Sequence, residues 1–239
     1  MNDEQAAEGY REEVAELVGR LRKSDLDLRS DATLRLERLA SDIRRWNSSM
    51  NLVSRKDVGR LVSYHFGDSA SVLPLVRPDR PTEVLDIGGS NGLPGLVLSA
   101  LSPHIRLKIC DSRHKRSAFL QDACDHLGTG ATFEIGSVDS EIFRGRYQKS
   151  FDLIVARAVT KLKRLLGWCL PLLKPAGKVA AYKGSRCFDE VDQAVELLFR
   201  SGGAMIMVLS SPWAQDCNPL RLFAIAGLSA DPEVGMWAG

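Results

Sequence analysis

Residues 84–95 read VLDIGGSNGLPG, an apolar run leading into a turn that carries Gly88, Gly89, Gly92 and Gly95. A second apolar run, LKICDS, follows and ends in acid at Asp111. A strand, a glycine turn and a helix opening at Leu93 bring backbone N–H groups close to a ligand in doubly wound α/β folds. An acid at the tip of the next strand can hold a ribose. The same glycines could also do no more than tighten a strand-to-helix turn; the pairing with Asp111 favours a ligand.

The spacing of the glycines excludes the common phosphate binders. A dinucleotide fingerprint started at Gly88 meets Ser90 and Leu93 where its second and third glycines belong. No Gly-Lys-Ser/Thr triplet occurs, so a nucleoside triphosphate loop is absent. An adenosine-bearing ligand without a phosphate train remains, and S-adenosylmethionine fits that description.

The chain of 239 residues is long enough for one α/β domain with a smaller appendage. Its net charge of +2 does not by itself argue for nucleic acid, so any RNA surface must come from local clustering. Cys110, Cys124, Cys169, Cys187 and Cys217 are widely spaced with no C-x-x-C pair, which argues against disulfides or a zinc site and suggests reduced thiols in the cytoplasm. The polar N-terminus and the lack of a long apolar run predict a protein that is neither exported nor inserted in a membrane.

Up to about residue 76 the apolar residues repeat at helical spacing: Val14, Leu17, Val18 and Leu21 share one face, as do Leu36, Leu39, Ile43 and Trp46. Beyond Glu83 strand-like runs alternate with helical ones: VLDIG, RLKICDS, TFEIG, FDLIVARA, KVAAYKG, MIMVLSS and LRLFAIAGL. Only SPWAQDCNP separates the final two, which are expected to pair antiparallel. The expected organisation is a helical subdomain over residues 1–78, then a methyltransferase domain over 79–239 with a seven-stranded, mainly parallel Rossmann-like sheet.

Several segments occur in one order: WNSSMNLVSRKD at 46–57, HFGDS at 65–69, the glycine turn, CDSRHKR at 110–116, ARA at 156–158, WCLPLLKPAG, and YKG at 182–184. In this order and spacing the chain resembles the RsmG family, formerly GidB, of bacterial small-subunit rRNA methyltransferases. The resemblance spans roughly residues 34–185. It implies transfer of a methyl group from S-adenosylmethionine to guanine N7 in the 530-loop region of 16S rRNA, with that RNA or the small ribosomal subunit as partner and no metal. It further implies that Gly88 and Leu93 lie against the cofactor, that Val138 and Asp139 lie near its adenine, and that Arg157 stands at the pocket edge as the candidate catalytic residue. Asp86 and Gly92 belong to the cofactor turn, and Asp111 fits a ribose-binding role. Ser90 stands where the family's turn usually has glycine, and Ser137 where an arginine usually precedes the Val-acid pair. Those departures leave open a divergent paralogue acting on another RNA or a small molecule; a separate alternative is a non-catalytic scaffold that binds RNA or a partner through the helical subdomain.

The chemistry agrees with the first reading, because guanine N7 carries an exposed lone pair and needs alignment more than activation. No Pro-Cys or Thr-Cys dipeptide offers a nucleophile for cytosine C5, and Ala156, Arg157 and Ala158 occupy the place of an amine-methylating Asn/Asp-Pro-Pro motif. Individual residues also have plainer readings. Arg157 could be a charged strand end reaching water, and His65 an ordinary interface histidine. Asn47 and Asn51 suit a helix cap, Trp46 suits the helical core, and Lys115 and Arg116 suit a solvated helix face. The basic groups Arg55, Lys56 and Arg60, with Lys161, Lys163 and Arg164, could flank one mouth of the site and contact phosphates.

Overall fold

The computed structural model describes residues 3–184, 187–201, 207–210 and 222–227. Cys217 and the SPWAQDCNP connector lie outside the described residues. The seven expected strands form one sheet: β1 (Thr82–Ile87), β2 (Ile105–Asp111), β3 (Thr132–Ile135), β4 (Phe151–Arg157), β5 (Leu173–Lys183), β6 (Met207–Ser210) and β7 (Leu222–Gly227). Their order is β3-β2-β1-β4-β5-β7-β6, with the first five neighbours parallel and β7 antiparallel to both β5 and β6. The strand order reverses between β1 and β4, which is where open parallel sheets leave a crevice at their carboxyl ends.

Alternation along each strand divides the core in two. Val84 of β1, Leu153 and Val155 of β4 and Ala180 of β5 face one cluster, whereas Leu85, Ile154, Ala156 and Ala181 face the other. The first face is covered by α1 (Asp3–Arg22), α2 (Ala32–Met50), α3 (Gly67–Ala70), α4 (Gly95–Leu101) and α5 (Ser117–Leu127). The second packs on α6 (Glu141–Arg146), α7 (Leu162–Cys169) and α8 (Cys187–Arg200). The N-terminal helices thus share one continuous apolar core with the sheet. Val14, Leu17, Val18, Leu21, Leu36, Leu39 and Ile43 are all buried there, as their spacing predicts.

Polar ties join α2 to α5 within the helical layer. Trp46 packs edge-on against Phe119, and its Nε1 donates to Asp122 on α5 at 2.7 Å. Arg45 pairs with Asp42 and Asp122, and His126 also contacts both. Asn51 ends α2 in a left-handed conformation, and the Asn47 Oδ1 accepts from the Val53 N–H at 2.8 Å, so both asparagines serve as end signals. The chain then makes a wide, π-type turn over Leu61–Phe66 and enters α3. Among the described residues no helix is long and apolar enough to cross a membrane.

Candidate active site

The sheet register sets Gly88, Asp111 and Arg157 in a row. Ile87 pairs with Cys110 on one side and Ala156 on the other, so the next residue of each chain emerges at the same carboxyl edge. Beside this row opens a cleft of about 210 Å³ lined by Gly88, Asp111, Arg113, Val138, Val159 and Trp168, among others. Gly88, Asp111 and Val138 therefore stand in one cleft.

The turn above β1 depends on its glycines for two different reasons. Gly88 and Gly92 adopt φ of +74° and +77°, which side-chain-bearing residues rarely adopt. A Cβ on Gly88 would also fall 2.7 Å from Val159 Cγ2. Gly89 and Gly95 instead make room for the Asp86 carboxylate. The Gly95 N–H donates to Asp86 Oδ2 at 2.7 Å, and α4 starts there, two residues after the Leu93 start expected from sequence. Asp86 is completely buried, and among the described residues its Oδ1 has no hydrogen-bond partner. Loss of solvation pushes its pKa up to about 7, opposed by the Gly95 N–H and by Arg157 and reinforced by Asp111.

The remaining expected residues separate into cleft, rim and support. Asp111 is nearly buried and accepts the Arg113 N–H through Oδ1 at 2.7 Å. Asp139 lies at the rim, where it takes a short hydrogen bond from Ser137 Oγ and sits 4.0 Å from Arg164. Arg164 in turn covers the ring of Trp168, 4.9 Å from its centroid. Gly92 and Leu93 belong to the turn but do not line the cleft, and Leu93 is buried in the core cluster of the helical layer. Trp168 and Arg113 were not picked out from the sequence; the period of α7 would have placed Trp168 near the sheet without saying that it borders the cleft.

Ser90 does not line the cleft. Its buried hydroxyl accepts from Arg116 Nη1 at 3.0 Å, while Arg116 Nη2 donates to the Asn51 carbonyl at 3.1 Å. Asn91 Nδ2 adds a bond to the Leu52 carbonyl at 3.3 Å. The residue that departs from the family's glycine thus fastens the turn to the end of α2, and Arg116 is a tie between layers as well as a helix-face cation.

Arg157 leaves the sheet on the opposite face. By the alternation of β4 it follows Leu153 and Val155 toward the helical layer, where Nη1 lies 3.6 Å from Asp68 and 3.3 Å from His65 Nδ1. Next to it the Tyr182 hydroxyl donates to the Ser69 carbonyl at 2.8 Å, and burial raises its pKa well above normal, with Asp68 adding to the rise. The basic side chains of Arg55, Lys56, Arg60, Lys161, Lys163 and Arg164 are all exposed, on the segments before this cluster and after β4. Cys110, Cys124, Cys169 and Cys187 are buried, and burial raises every one of these thiols, Cys110 to about 12. None of these four is poised as a nucleophile.

The sheet order and the crevice at its reversal define a Rossmann-like methyltransferase fold. The chain superposes on the O-methyltransferase of Bacillus cereus, solved in complex with SAH, with a TM-score of 0.56 over 80% of this chain and 90% of that one, at 14% identity. It superposes on the precorrin-6y C5,15-methyltransferase of Geobacter metallireducens at 0.53, covering 76% and 92%, with 16% identity. Residues 33–213 match the GidB family model, described as rRNA small subunit methyltransferase G, and the chain belongs to that family. It is 31% identical over 189 residues to the ribosomal RNA small subunit methyltransferase G of Brevibacillus brevis, covering 79% of each chain. To the protein of that name from Roseiflexus sp. RS-1 it is 34% identical, covering 72% of this chain and 73% of that one.

Proposed function

We propose that the protein methylates small-subunit ribosomal RNA at guanine N7, with S-adenosylmethionine as donor. The carrying observation is the cleft where the positive-φ Gly88 and the acid Asp111 meet at the reversal of the sheet, in a chain of the GidB family.

The residues present suit that donor. Asp86 is buried beneath the turn and holds it in shape for the donor through the Gly95 N–H. Asp111 keeps one oxygen on the Arg113 N–H and has a second to offer a ribose hydroxyl. Val138 and Trp168 give the far end of the cleft an apolar wall suited to a flat base. Gly88, Gly92, Leu93 and Asp86 shape the turn, Asp139 borders the base end, and Arg157 acts from the helical side on the acceptor. When bound, S-adenosylmethionine supplies an electrophilic methyl group.

For the acceptor the protein needs alignment and no strong base, which accords with a cleft whose Cys110 thiol is held protonated. The target guanine must be unstacked to reach the cleft. The exposed cations on the 54–60 segment and after β4 suit the flanking phosphates, with affinity that falls as salt rises.

The test is to incubate purified protein with methyl-labelled S-adenosylmethionine and unmethylated small subunits or their 16S RNA, then identify the labelled nucleoside. Label on 7-methylguanosine is the expected result. Label on another nucleoside overturns the N7 assignment, and no transfer by protein that binds S-adenosylhomocysteine overturns RNA methylation.

A further inference from the structure

His65 and Asp68 have no part in the cofactor cleft, yet both converge on Arg157. Asp68 is fully buried and the Arg157 side chain is only 10% exposed, so this is an interior contact between α3 and the end of β4. The wide turn over Leu61–Phe66 delivers His65, and α3 follows it directly, so the two side chains approach the guanidinium from one short segment. Single π-type turns inside helical segments occur often at functional positions. The Tyr182 hydroxyl, bonded to the Ser69 carbonyl, holds the same segment against the end of β5.

The protonation state of this contact follows from its chemistry. A guanidinium has only donors and is not deprotonated in proteins, so His65 Nδ1, 3.3 Å from Arg157 Nη1, must accept. The imidazole proton then resides on Nε2, which faces Asp57 Oδ2 at 3.9 Å. Asp57, His65, Arg157 and Asp68 thus lie in a line in which His65 and Arg157 share a hydrogen bond and each faces a carboxylate at ion-pair distance, with Tyr182 and Asp86 next to it. A buried ion pair is a poor source of stability by itself, since desolvation offsets much of the attraction. One hydrogen bond to His65 and the charge of Asp68 at 3.6 Å do, however, fix its direction, and Arg157 stands next to Gly88 at the reversal of the sheet.

We infer that His65 and Asp68 are positioning residues that aim Arg157 at the methyl acceptor, His65 acting through Nδ1 as a neutral imidazole. The inference rests on the reading of the site as a methyltransferase centre. It makes the helical layer part of the active site, since the residues that orient the strand-end arginine come from the N-terminal third of the chain.

The two imidazole nitrogens can be tested separately. Asparagine places an amide oxygen close to where Nδ1 lies, whereas the longer glutamine side chain reaches the position of Nε2. His65→Asn is expected to retain turnover, while His65→Ala and His65→Gln lower kcat roughly tenfold or more at saturating donor. All three should bind S-adenosylhomocysteine as the unaltered protein does in calorimetry. Full turnover by His65→Ala, or rescue by glutamine instead of asparagine, overturns the inference. Should the alanine variant fail to fold, the asparagine and glutamine pair still decides. Nitrogen NMR of histidine-labelled protein gives a second readout that needs no acceptor: His65 is expected to carry its proton on Nε2, and a proton on Nδ1 overturns the assignment. If the unaltered protein transfers no methyl group to RNA, the functional reading fails, and the NMR result still judges the His65–Arg157 contact.

Discussion

Asp86 shows how one side chain can hold a turn and remain sensitive to its surroundings. One oxygen anchors the start of α4 through the Gly95 N–H, and the other is buried with no partner among the described residues. Its pKa of about 7 is the result mainly of lost solvation. An ordinary aspartate titrates near 3.8, so the folded state holds the Asp86 proton to higher pH than the unfolded chain does. The contribution is therefore fully present below about pH 4 and is lost as pH rises through about 7. Asp86→Asn keeps an oxygen for Gly95 and cannot ionise. The melting temperature of the variant is expected to fall less between pH 4 and 7.5 than that of the unaltered protein; an identical pH slope would show that Asp86 does not titrate there. The sequence gives the position of this acid at the end of a strand, but the missing partner depends on what packs above it.

At the scale of the element, the glycine turn is held from both sides. Below it are Asp86 and the start of α4; beside it, Ser90 and Asn91 connect through Arg116 and directly to the end of α2. The backbone of Gly88 is its least replaceable part. Alanine there would meet both the φ of +74° and the contact with Val159, at a cost of about 1–3 kcal/mol. Gly88→Ala is expected to lower urea stability by that order and to weaken S-adenosylhomocysteine binding measured by calorimetry; unchanged binding would show that the turn does not shape the cleft. Most of this element is legible in the sequence because glycine spacing is a local property. The role of Ser90 is not, because Arg116 lies 26 residues away along the chain.

For the whole molecule, the continuity of the core is the main fact. Leu36 of α2 belongs to the same buried cluster as Val84 of β1, Val155 of β4 and Tyr182 of β5. Removing its side chain should therefore destabilise helices and sheet together. Leu36→Ala is expected to cost about 2–5 kcal/mol and to leave a single transition when helicity and tryptophan fluorescence are followed in parallel. Two separated transitions would show that the helical layer unfolds by itself.

The sequence by itself determined the succession of strands and helices, the apolar faces of α1 and α2, the glycine turn and the acid at the tip of β2. Each of these is written in neighbours a few residues apart: a continuous apolar run in FDLIVAR, a period near 3.6 in the helices, a fixed spacing of glycines. Tertiary structure alone decided which layer each face meets. Alternation says that Arg157 and Ala156 point opposite ways, but not that the helical layer covers the arginine's side. That choice brings Arg157 to His65, 92 residues earlier in the chain, and to Asp68 beside it. Contacts across such separations depend on how the layers pack, and local pattern carries no record of them.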